Sequence, residues 1–186
     1  MKKITFILLI FTAVLITSCE GPMGPPGLPG QDGDALIGTI FEIQGDFTPD
    51  NEYKLFFEFP TDFKIYETDV VLVYILWEQT DNKTDVWRLL PQTVVLKSDE
   101  GTDVLQYNYD YTVADVQVFL EGTFDFSSLL PGEWQNQVFR IAVLPADFMA
   151  KKSVDESDFN SIINSKEIKL NTIKEVNFTQ KIKPGI

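Results

Sequence analysis

The segment Thr68 to Gln79, TDVVLVYILWEQ, is apolar on both faces when read at a period of two residues. Val70, Leu72, Tyr74 and Leu76 fall on one face, and Val71, Val73, Ile75 and Trp77 fall on the other. Its density of β-branched and aromatic side chains favours a strand over a helix. A strand with no polar face belongs in the centre of a sheet.

The same period recurs from Leu36 onward, interrupted by clusters of Asp, Asn, Gly and Pro that mark turns. Leu36 to Gln44 reads as a first strand, and Phe47 to Asn51 as a turn. Glu52 to Phe59 then places Tyr53, Leu55, Phe57 and Phe59 on one face. Thr80 to Lys83 turns the chain into Asp85 to Leu90, Pro91 breaks that run, and Gln92 to Lys97 resumes it. Gly101, free to take a positive φ, sits in the next turn. Strands follow over Val104 to Tyr111, Asp115 to Phe124 and Gln137 to Leu144, the last entered through a Pro131-Gly132-Glu133 turn. Pro145 to Ala150 suits a helical turn. Asp155 to Ile163 has acids at its start and Phe159, Ile162 and Ile163 at helical spacing, which predicts a short helix. Thr172 to Ile182 is expected to close the sheet. About eight strands at short intervals predict an all-β fold, an antiparallel β-sandwich over residues 36–186 with one short C-terminal helix. No fixed-period repeat follows residue 35, which argues against a propeller or solenoid.

The N-terminus obeys other rules. Two lysines, an apolar run from Ile4 to Ile16 and then Thr17-Ser18-Cys19 make up the first nineteen residues. The apolar run is too short for a membrane span, which needs about twenty residues; it suits a secretory signal peptide. Ile16-Thr17-Ser18-Cys19 resembles the lipobox of bacterial lipoproteins. That resemblance implies cleavage of residues 1–18 and acylation (diacylglycerol on the thiol, a fatty chain on the new amine) of Cys19. It also accounts for a lone cysteine in an exported chain, otherwise an oddity.

Directly after Cys19, glycine occupies every third position from Gly21 to Gly33, and prolines fill the intervening places of the first three triplets. Only glycine fits the crowded axis of a triple helix, so the run from Gly21 to Ala35 resembles collagen. Two readings stand. One is a proline-stiffened spacer rising about 3.1 Å per residue in polyproline II. The other is a short triple helix joining three chains as a homotrimer. Because only three of the five triplets carry proline, the spacer is preferred.

Cleavage after residue 18 leaves 13 basic against 28 acidic residues, a formal charge of −15. Such a surface repels nucleic acid, whose binding rests on Lys and Arg neutralising phosphates, and it gives no polybasic grip on lipid headgroups. With no histidine in the chain, histidine triads and His-ligated metals are excluded, and one cysteine cannot form a redox pair. No cofactor is expected. Oxygen-ligated calcium or magnesium and carboxylate chemistry are what the composition leaves open. Acids cluster at Asp81/Asp85, Asp99/Glu100/Asp103 and Asp155/Glu156/Asp158, but none matches the calcium-loop pattern. Solvated turns and a helix start explain them at less cost. No phosphate-binding glycine loop is present, and the collar's prolines lack the N–H groups that a phosphate cradle needs.

Aromatic residues supply the remaining candidates for a ligand site. Tyr107, Tyr109 and Tyr111 share one side of a strand and could form a platform for sugar rings. The plainer expectation is that they cover the core with their hydroxyls in water. Of Trp77, Trp87 and Trp134, the last follows a turn and is the most exposed candidate.

A lipobox, a few collagen-like triplets and an all-β domain together resemble a group of small Gram-negative bacterial lipoproteins. The resemblance implies a lipid-anchored protein of the cell envelope, in the outer membrane. The expected function is a non-enzymatic interaction or structural domain with a protein or glycan partner. A carbohydrate-binding module is the alternative, and a carboxylate-based hydrolase stands behind it.

Overall fold

A computed structural model describes residues 36–98, 101–150, 154–166 and 168–176. Among these residues, nine strands form two facing sheets, and the chain is the all-β sandwich that its periodicity predicts.

The first sheet comprises β1 (Leu36–Gly45), β3 (Val70–Gln79), β4 (Asp85–Leu89), β8 (Gln137–Leu144) and β9 (Ile168–Val176), in the order β4-β3-β8-β1-β9. The second comprises β2 (Lys54–Glu58), β5 (Gln92–Ser98), β6 (Gly101–Tyr111) and β7 (Asp115–Gly122), in the order β2-β7-β6-β5. Pro91 lies where the chain leaves β4 in one sheet for β5 in the other, so its missing N–H breaks no ladder. Gly101 takes φ 150° where β6 leaves the turn, a value that glycine adopts without a Cβ clash.

Two apolar layers explain why β3 has no polar face. Val71, Val73 and Ile75 point between the sheets and pack with Phe41, Phe57, Leu105, Val118, Phe139 and Ile141. Leu72 and Tyr74 point outward into a second layer with Ile40, Leu144, Phe148, Phe159 and Ile162. Short helices α2 (Ala146–Met149) and α3 (Phe159–Ile163) supply Phe148, Phe159 and Ile162 to that layer. Burying a large apolar side chain contributes roughly 1.5–3 kcal/mol, so the helical cover is a real part of the fold. On this outer face Arg140 pairs across the strands with Glu42, Nε to Oε2 at 2.8 Å. Its guanidinium lies 4.0 Å from the Trp87 ring centroid and 5.1 Å from that of Phe159.

Three expectations are corrected. The last strand begins at Ile168, four residues before Thr172, and it pairs parallel to β1; all the other strand pairs are antiparallel. Its expected end, residues 177–182, lies outside the described residues. The helix expected from Asp155 starts only at Phe159, because Asp158 caps it by accepting from the Asn160 N–H at 2.9 Å. Finally, the turn at Pro131 is itself helical, α1 (Pro131–Trp134).

Candidate functional site

β1 carries the chain from Leu36 to Gly45, ten residues or about 33 Å at the usual strand rise. At its far end two loops meet. A Cβ on Gly45 would lie 2.7 Å from Leu55 Cδ2, so the glycine lets the chain turn closely over β2. Phe47 follows, buried in the core, with its N–H donating to the Trp134 carbonyl at 2.9 Å. Asp46 accepts from the Asn136 N–H at 2.7 Å. These bonds tie the segment after β1 to the segment before β8.

A 3-10 turn, Pro49–Asn51, comes next. Asn51 fastens it twice: its Oδ1 accepts from the Thr48 N–H at 2.9 Å, and its Nδ2 donates to the Asp46 carbonyl at 2.7 Å. Glu52 and Tyr53 then adopt φ of 54° and 56°. Consecutive left-handed residues other than glycine are uncommon. Here the Tyr53 N–H donates to the Thr48 carbonyl at 2.9 Å, and the Tyr53 carbonyl accepts from the Leu120 N–H at 3.1 Å. The result turns the Tyr53 ring onto Phe126, with centroids 4.9 Å apart and planes at 73°.

In the second loop, Asp125 caps a 3-10 turn over Phe126–Ser128 by accepting from the Ser127 N–H at 2.9 Å. A Cβ on Gly122 would lie 2.6 Å from Phe126 Cε1, so Phe126 packs directly on a bare backbone. The turn α1 is fixed by the Glu133 carboxylate, which accepts from the Leu130 N–H at 2.7 Å. From within the sandwich the Tyr107 hydroxyl donates to the Glu133 carbonyl at 2.7 Å.

Between the loops lies an open cavity of about 220 Å³, lined by Phe47, Thr48, Pro49, Tyr53, Phe126, Ser127, Leu129 and Trp134. Four of those eight side chains are aromatic and none carries a charge. Trp134, singled out from the sequence as the exposed tryptophan, is half-buried and forms one wall.

Tyr107, Tyr109 and Tyr111 do share one face of β6, but it is the face toward the other sheet. Tyr107 is buried, and the Tyr109 hydroxyl donates to the Val71 carbonyl across the sandwich at 3.2 Å. Only Tyr111, stacked on Tyr109 at 6.4 Å, is exposed. The expected platform is thus graded from core to rim, and the two inner hydroxyls bond backbone carbonyls where water was expected. Desolvation pushes the Tyr107 and Tyr109 phenols above their ordinary range, with the Glu133 and Tyr111 charges adding to it respectively. Trp77 and Trp87 lie under guanidinium groups, Arg88 at 4.1 Å and Arg140 at 4.0 Å.

Among the described residues, no group of three or more His, Cys, Asp or Glu side chains is placed to hold a metal ion. Asp155 and Asp158 instead accept hydrogen bonds from Ser157 and Asn160, and Asp85 accepts from Gln79 at 2.7 Å. Asp99, Glu100, Cys19 and the run from Gly21 to Ala35 lie outside the described residues.

Sequence reasoning missed Phe47, Tyr53 and Phe126 as cavity residues. By sequence Phe47 belongs to a turn and Tyr53 to a strand face, and Phe126 falls between strands. The signal was there: a large ring beside each of three turn segments, where polar residues are the rule. No family model, curated protein or solved structure matches this chain.

Proposed function

We propose that this protein is a lipid-anchored, non-enzymatic binding domain of a bacterial cell envelope, held off the outer membrane by its collagen-like collar. Support for the anchor is the lipobox ending at Cys19. For the domain, the carrying observation is the uncharged aromatic cavity at the end of β1 opposite Leu36, where the collar joins. The lining residues follow β1 in the chain, whereas the collar precedes it.

With no carboxylate in its lining, the cavity lacks the paired acids a glycosidase needs. Intact-mass analysis of the protein from its native host tests the anchor: acyl chains on a chain that begins at Cys19 are expected, and a bare thiol or retained leader overturns it. For the binding role, a pull-down from detergent-solubilised envelope should return a reproducible partner. In this reading the collar is a spacer, and the unlipidated chain from Glu20 should run as a monomer with or without residues 21–35. A trimer only when the collar is present would make it an assembly element.

The carbohydrate-binding reading is favoured by one feature, the Tyr53 and Trp134 rings in the cavity. It predicts a tryptophan fluorescence change on titration with glycans, and a flat response across a broad panel removes it.

A further inference from the structure

We propose that the cavity between the Phe47–Tyr53 and Phe126–Trp134 segments is an aromatic cage for an organic cation, an alkylated ammonium group of the choline type. This rests on the reading of the domain as the binding end of an anchored protein. Phe47, Tyr53, Phe126 and Trp134 all line the cavity. The Tyr53 and Phe126 rings pack edge to face, with planes 73° apart. The face of an aromatic ring is negative and attracts a cation within about 6 Å of its centroid. An ammonium whose methyl groups spread its charge enters such a site at little desolvation cost.

Charge around the cavity points the same way. Residues 44–53 and 121–137 include Asp46, Asp50, Glu52, Glu121, Asp125 and Glu133, and neither segment contains a Lys or Arg. Lys54, just beyond, is held by Glu52 at 2.8 Å. A local field of this sign draws cations and turns anions away. Hydrogen bonds from Ser127 hold the Asp125 carboxyl below its ordinary range, and Lys54 does the same for Glu52, so both stay ionised into mild acid.

Chemistry and size narrow the ligand further. The lining offers rings, aliphatic groups and hydroxyls but no Asn, Gln, Asp, Glu or Arg side chain. Sugar sites depend on such planar polar groups to grip ring hydroxyls. A dry apolar cavity of about 150 Å³ accepts benzene, and tetramethylammonium has similar bulk. At about 220 Å³ this cavity has room for that head and one substituent arm.

The test uses the unlipidated mature chain from Glu20, which keeps the whole compact unit Asp34–Ile186. Tetramethylammonium, choline, the neutral choline isostere 3,3-dimethylbutanol, cellotetraose and phosphatidylcholine vesicles are titrated while tryptophan fluorescence and calorimetry are followed. Choline and tetramethylammonium should bind saturably, and the isostere at least tenfold more weakly. Trp134→Leu retains apolar bulk without a ring and should weaken the cation at least tenfold. Ser127→Phe, at an exposed position on the mouth, should block entry while circular dichroism stays unchanged. Vesicle binding that depends on Trp134 identifies a lipid headgroup as the source of the cation; binding of free choline alone identifies a soluble one. Equal binding of choline and its isostere, cellotetraose binding in place of choline, or no saturable binding would each overturn the proposal. Those results leave the anchored-domain reading intact, because that reading fails separately on a bare Cys19 thiol or an empty pull-down.

Discussion

Replacing Tyr107 by phenylalanine removes one oxygen atom and tests how the sandwich supports its cavity. The side chain is only 4% exposed, and its hydroxyl donates to the Glu133 carbonyl at 2.7 Å. That carbonyl belongs to α1, whose last residue, Trp134, is a wall of the cavity. A typical hydrogen bond contributes about 0.5–1.5 kcal/mol, and an acceptor left without its partner costs about 1–3 kcal/mol. Because α1 sits at the surface, water can reach the orphaned carbonyl, which places the loss near the low end, about 1.5 kcal/mol. For a domain of this size each kcal/mol lowers Tm by about 2–4 °C, so a fall of about 3–6 °C is expected.

The pH dependence of this variant is a second readout. Burial, with the Glu133 carboxylate adding to it, raises the folded phenol well above its unfolded value of about 10. A raised pKa means that the fold favours the protonated form. That contribution is complete below pH of about 10 and is lost as pH climbs above it. Tyr107→Phe removes this contribution, so the alkaline fall in stability becomes shallower, although buried Tyr74 still contributes to it. Thermal and urea unfolding at pH 7 and across the alkaline range measure both effects. A Tm change below about 1 °C together with an unchanged alkaline slope would refute the idea that Tyr107 braces α1.

Phe41→Ala should be among the most damaging substitutions. The ring is fully buried and lies 5.0–5.7 Å from those of Phe57, Phe59 and Phe63, so a loss of about 3–5 kcal/mol is expected in urea unfolding. Arg140→Met and Glu42→Gln should not be additive, since their side chains share a bond at 2.8 Å with 17% and 22% exposure. A double-mutant cycle should give a coupling of about 1–2 kcal/mol, and additivity within about 0.5 kcal/mol would show the pair to be idle. Asp158→Ala removes the cap of α3 and should cost about 1 kcal/mol. Hydrogen exchange should then rise first in α3, ahead of the β1–β8 ladder.

Much of this architecture can be read from side-chain period alone. The double apolar face of Thr68 to Gln79 identifies an interior strand, because no polar face exists to offer water. What the period cannot say is which layer covers each face. The outer cover comes from Phe148, Phe159 and Ile162, carried on helices of four and five residues that give too few turns for a strong pattern. The direction of β9 was hidden for a similar reason: alternation is the same for parallel and antiparallel neighbours. Tyr107 and Tyr109 were ambiguous because tyrosine serves equally well at a wet surface or with its hydroxyl on a buried carbonyl. The cavity was hardest to see. Its walls come from segments some eighty residues apart, and Tyr53 reaches it only through a left-handed backbone that no propensity for tyrosine announces.

The interior place of β1 has a mechanical consequence. Its last residue leads into the loop that lines the cavity, and it lies between β8 and β9. A load that pulls the two ends of β1 apart would run along its axis, at right angles to the β8 ladder hydrogen bonds. Bonds on both flanks would then be strained in shear together, where a hairpin pulled at its open end yields them one after another. A domain threaded this way resists tearing along the line of β1.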